Sequence, residues 1–165
     1  MLRKKYLLIK INKVRKLKKI YYIEYNMSSE LNKQVITSFE NRDAFLNLLK
    51  VNPGLVIMKL GATWCGPCKK IAHIVEAFFA SSPPNVVCAD IDVDESFDLY
   101  AYLKQKKMVN GVPVLLMYKK GNISFAPDDS ITGADPGQLD AFFKRCGLHL
   151  YALEQAYAKA GAIVK

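Results

Sequence analysis

The chain has 165 residues, of which 51% are hydrophobic and 24% charged, with four cysteines. This is ordinary globular composition, and it excludes a wholly disordered chain, collagen and a disulfide-packed miniprotein. No run approaches the roughly 18 uncharged apolar residues that a transmembrane helix needs.

The net charge of +9 is unevenly placed. Residues 1–26 hold nine basic residues against Glu24, while residues 27–165 hold 15 basic against 14 acidic. A basic arm is attached to a near-neutral domain, so no nucleic-acid partner is expected of the domain. The sequence divides into a basic N-terminal extension (1–29), a folded domain (30–147) and a C-terminal helical tail (148–165). In the arm, Leu7-Leu8-Ile9 stops at Lys10, too short for a secretory apolar stretch. Wound as a helix, Leu7, Ile11, Val14, Leu17 and Tyr21 share one side, but Lys10 and Lys18 interrupt it. Three readings stand: a disordered or marginal helix, a segment that contacts membrane or nucleic acid, or translated upstream sequence with Met27 as the true start.

Beyond the arm, strand and helix patterns alternate. Val35–Phe39 is a short apolar-rich strand candidate. Asn41 is placed to cap a helix carrying Phe45, Leu48 and Leu49, and Pro53-Gly54 stops it. Leu55–Leu60 is a near-continuous apolar run, as expected of a strand covered on both faces. From Gly66 to about Ala80, Ile71, Val75, Phe78 and Phe79 recur at helical spacing. Asn85–Ile91 is a second buried strand, residues 95–107 suit a helix, and Val112–Tyr118 is a third strong strand. A weak strand pair with a polar loop at Ala126–Asp129 follows. Asp135-Pro136 opens a helix to about Cys146, where Gly147 is expected to break it. Leu148 to about Ala160 is a further helix candidate. The order β-α-β-α-β-α-β-β-α predicts an α/β fold, a central mixed sheet flanked by helices on both faces.

The strongest chemical feature is Trp64-Cys65-Gly66-Pro67-Cys68-Lys69, where a strand gives way to a helix. Two residues between cysteines in a first helical turn let the sulfurs bridge or separate with little backbone movement. Unsatisfied helix amides and the positive dipole end favour thiolate at Cys65. Cys68, expected to lie deeper, is placed to attack a mixed disulfide and release the product. Gly66 permits close approach, and Pro67 suits the first turn. A zinc half-site needs a second ligand pair, which Cys88, Cys146, His73 and His149 do not supply by spacing. No metal is expected.

The segment Gly61–Lys69 resembles the active-site segment of eukaryotic-type thioredoxins, and the resemblance covers roughly residues 35–146. Gly111-Val112-Pro113-Val114 is similar to the family's second anchor, and Gly133-Ala134 to the glycine after its last strand. The resemblance implies a thioredoxin fold and a cis Pro113 facing the active-site disulfide. It also implies a substrate groove formed by Trp64, Val112, Pro113 and Gly133. Asp90-Ile91-Asp92 matches the acidic end of the second core strand.

Departures from the family pattern are informative. Lys59 stands where thioredoxins usually have a buried Asp. It is read as stabilising thiolate, as a base, or as a stem that reaches solvent. His73 replaces a helix-kinking Pro and is read as structural. Val114 replaces the usual Thr after the cis-proline. Cys88 is read as buried. Cys146, at a helix end, is read as inert packing or as an exposed, regulatory thiol.

The resemblance thus implies a protein-disulfide reductase in which Cys65 attacks and Cys68 resolves, with Trp64, Gly66, Pro67, Lys59 and Pro113 in support. No cofactor is implied beyond the disulfide. The partners implied are disulfide-containing proteins and a thioredoxin reductase or equivalent donor. The chain is expected to be a monomer in the cytoplasm, or virion- or membrane-associated through the arm. The alternatives are a thioredoxin-like adaptor, and a more oxidising, disulfide-forming variant because of Lys59.

Overall fold

A run of apolar residues broken only by Lys59 forms the first strand, β1 (Leu55–Gly61). The computed structural model describes residues 34–162, so every reading of the basic arm lies outside the described residues. The strand β2 (Val86–Asp92) pairs with β1 in parallel, in a register running from Leu55 opposite Val86 to Gly61 opposite Asp92. On the other side of β1, β3 (Val114–Lys119) runs antiparallel, and β4 (Asp129–Thr132) runs antiparallel to β3. The sheet order is therefore β2-β1-β3-β4.

Alternation along each strand builds two apolar layers. One face joins Val56, Met58 and Leu60 to Val87, Ala89 and Ile91. It is covered by α1 (Arg42–Lys50) through Phe45, Leu48 and Leu49, and by α3 (Phe97–Gln105) through Leu99 and Leu103. The other face carries Leu55, Ile57, Cys88, Leu115 and Met117. It is covered by α2 (Gly66–Ala80) through Ile71, Val75 and Phe79, and by α4 (Pro136–Ala162). Helix starts follow the sequence signals. Asn41 accepts a hydrogen bond from the Ala44 N–H at 3.0 Å, and Asp135 accepts one from the Gln138 N–H at 2.8 Å.

The structure corrects two local expectations and decides a third. Gly147 does not break the last helix: α4 is continuous from Pro136 to Ala162. A glycine inside a helix costs about 1 kcal/mol. Burying a leucine gains about 1.5–3 kcal/mol, and the stripe Leu139, Phe142, Cys146 and Leu150 continues past Gly147 into the core. Cys146, read as inert packing or as an exposed regulatory thiol, lies on that stripe and is fully buried, which fits the packing reading. The strand candidate Val35–Phe39 is reduced to one parallel bridge between Ile36 and Ala89. Two backbone bonds hold it, from the Ile36 N–H to Cys88 and from the Asp90 N–H to Ile36. The remainder of this segment turns toward α3, where the Phe39 N–H meets the Ser96 hydroxyl at 2.9 Å.

Candidate active site

The sheet register brings the sequence-selected groups to one end of β1. Gly61 ends β1 opposite Asp92 of β2. Leu60 lies opposite Val114, so Pro113 sits just beyond that end of β3. Val114 lies opposite Thr132, which brings Gly133 alongside, and the Gly133 N–H donates to the Pro113 carbonyl at 2.9 Å. The Val112–Pro113 peptide bond is cis. Gly133 has φ of +106°, a conformation that favours glycine.

Between β1 and α2 the chain makes a tight turn, with the Cys65 N–H bonded to the Ala62 carbonyl at 3.1 Å. Cys65 is the N-cap of α2, and Pro67 lies in its first turn. Cys65 and Cys68 form a disulfide. The Cys65 sulfur accepts a hydrogen bond from the Cys68 N–H at 3.2 Å. That amide is one of the orphan donors of a helix N-terminus, so negative charge developing on this sulfur is stabilised where it forms. The sequence suggests that Cys68 lies deeper, yet both cysteines are 4% exposed. They differ in what they face: a cleft of about 340 Å³ beside the start of α2 touches Cys68 and not Cys65.

Around the pair, Trp64 is 67% exposed, and its indole N–H donates to Asp94 at 2.8 Å. Asp92 accepts the Thr63 N–H at 3.1 Å and the Asp94 N–H at 2.9 Å. Asp92 and Asp94 thus fix the turn that carries Trp64. Sequence reasoning missed Asp94, since its signal is only the parallel register that ends β2 beside Gly61. Lys59 is largely buried, at 7% exposed, and its ammonium is not carried out to the surface but contacts both carboxylate oxygens of Asp90, at 2.7 and 3.0 Å. His73 lies exposed on α2, away from any catalytic pairing. Among the described residues no cluster of three or more His, Cys, Asp or Glu is arranged to hold a metal ion.

A sulfur pair at a helix N-terminus, beside a cis-proline at a sheet end, is the arrangement of a dithiol–disulfide exchange centre. The comparisons agree. The thioredoxin family model matches residues 36–145. The chain is 32% identical over 105 residues to Thioredoxin-1 of Saccharomyces cerevisiae, an alignment covering 64% of this chain and 92% of that protein. It is 39% identical over 90 residues to the thioredoxin of Ictalurus punctatus, covering 53% and 79% respectively. The solved structure of Trichomonas vaginalis thioredoxin matches with a TM-score of 0.56 at 29% identity, over 67% of this chain and 96% of that one. The chain belongs to the thioredoxin family. It has the thioredoxin fold and is a thiol–disulfide oxidoreductase, with Cys65–Cys68 as its redox-active pair.

Proposed function

We propose that this oxidoreductase is a protein-disulfide reductase. The observation that carries the reading is the Cys65 sulfur capping α2 on the Cys68 N–H, at the sheet end that also holds cis Pro113. In the reduced protein the Cys65 thiolate attacks a substrate disulfide. A bond forms between Cys65 and one substrate sulfur, and the other substrate sulfur leaves with the electron pair. Cys68 then attacks the Cys65 sulfur, restores the intramolecular disulfide and releases the second substrate thiolate. Trp64, Val112, Pro113 and Gly133 form the groove for the substrate chain, and Gly66 and Pro67 shape the turn that holds the two sulfurs. Two electrons from a thioredoxin reductase or an equivalent donor reset the pair, with no other cofactor.

A cytoplasmic, redox-balancing role belongs to the same proposal. Cys88 and Cys146 are free thiols, as suits a reducing compartment. A monomer suffices, because every group of the site comes from one chain. Contact of the arm with an anionic membrane is a separate proposal resting on its charge.

Insulin reduction with a dithiol donor tests the reductase reading. Wild type is expected to be active, Cys65→Ser inactive, and Cys68→Ser stalled as a covalent mixed disulfide. An inactive wild type with a working donor would favour an adaptor instead.

A further inference from the structure

Among the described residues, Lys59 is the only buried side chain of a formally charged type. Lys59 and Asp90 are direct partners in the parallel register of β1 and β2, so their side chains leave the same face of the sheet. Gly61, two residues along β1, shares that face. A Cβ placed on Gly61 would lie 3.5 Å from the Lys59 ammonium and 3.5 Å from the Cys68 sulfur. The two groups therefore flank one small gap and are at most about 7 Å apart. The cleft that touches Cys68 is lined by Lys59 and Asp90 as well. Its other charged groups are Lys69, Asp92 and Glu95. A glycine at position 61 is what keeps the gap open.

A buried ion pair is weak as a stabilising device, since apolar replacement is often neutral. Its placement against one sulfur of the redox pair calls for another role. We propose that Lys59 and Asp90 form a positioning pair that sets the thiolate character of Cys68. The Lys59 ammonium favours the thiolate, and the Asp90 carboxylate holds that ammonium in place while partly cancelling its field. This rests on the reading of Cys68 as the resolving sulfur. It makes the disulfide more oxidising than it would be without Lys59, because the reduced form is the one that Lys59 stabilises.

The test is the equilibrium of the protein with glutathione. Protein disulfide plus two glutathione thiols gives protein dithiol plus glutathione disulfide, with two electrons and two protons moving to the protein. Lys59→Met keeps the stem and removes the charge. It is expected to lower the equilibrium constant about tenfold. Asp90→Asn keeps the shape and removes the opposing charge, and is expected to raise the constant about threefold or more. The ultraviolet thiolate titration of Cys68, in a Cys65→Ser background, is expected to move up in pH for Lys59→Met and down for Asp90→Asn. A merely structural ion pair would give effects of the same sign when either partner is lost. Equal constants, or shifts in one direction, would overturn the proposal. Should Lys59→Met fail to fold, Asp90→Asn decides alone by its sign, since its carboxylate side is part-exposed. Glutathione is the only partner in this measurement. A protein with opposed shifts that fails on insulin would lose the reductase reading and keep the pair. One that reduces insulin without opposed shifts would do the reverse.

Discussion

Cys88 and Cys146 differ from the active pair in what surrounds their sulfurs. Burial pushes the Cys88 thiol up to about 11, with the Ser82 hydrogen bond pulling the other way. Burial, reinforced by the Asp129 carboxylate, pushes Cys146 up to about 12. In the unfolded chain both ionise near pH ~8.5. Below that pH both thiols are neutral in either state, and their burial carries no ionisation cost. As pH rises, the unfolded chain releases protons that the folded chain keeps, so stability falls from about pH 9 toward 12. The urea midpoint is expected to drop between neutral and strongly alkaline pH, and to drop less in the double variant Cys88→Ala, Cys146→Ala. The buried Tyr118 phenol, also pushed up, accounts for part of what remains. An identical fall in the double variant would clear both thiols. Residue chemistry was partly legible in the sequence. The spacing of Cys65 and Cys68 and the resemblance around Pro113 and Gly133 located the sulfurs and the cis bond. The partners Asp90 for Lys59 and Asp94 for Trp64 were not legible, because each depends on the parallel register of β1 and β2, which composition does not encode.

Periodicity read the elements well where an apolar face repeated over several turns. Phe45, Leu48 and Leu49 marked α1, and Ile71, Val75 and Phe79 marked α2. It misread α4, because a glycine is a local stop signal while the burial of Leu150 is a tertiary gain. Gly147 therefore sits in a helix interior without needing to be glycine. It has no positive φ, and an added Cβ meets nothing within 4 Å. Gly147→Ala is expected to raise stability by about 0.5–1 kcal/mol, through lower unfolded-state entropy and better helix propensity. Urea denaturation with an unchanged slope would show it as a higher midpoint. A lower midpoint would mean that the helix does not pass through this position in solution. The same balance explains the reduced first strand. Ile36 gains two backbone bonds at the edge of β2, but Val35 remains exposed, and too little is buried there to extend the pairing.

At the scale of the whole molecule, charge and chemistry occupy different parts of the chain. The layered α/β order was legible because strands and helices alternate with distinct periods, and the near-neutral domain was visible once the basic residues of 1–26 were set apart. The family match begins only at residue 36, and every group placed at the site lies between Lys59 and Gly133. At physiological ionic strength, exposed charges more than about 8 Å apart are largely screened. The arm is separate in sequence from every group placed at the site, and the expectation is that it acts by recruiting partners and not by tuning the sulfurs. Deleting residues 1–26 is expected to leave the glutathione equilibrium constant unchanged. Insulin reduction at physiological salt is expected to stay within about twofold, the change that weak, screened steering leaves. Repeating the assay at low salt separates the two ways the arm could matter. A rate difference that appears only there is electrostatic recruitment, and it should vanish as salt is restored. A loss of about tenfold or more at both salts, with the fold intact, would place the arm inside the exchange machinery and overturn the separation of charge from chemistry.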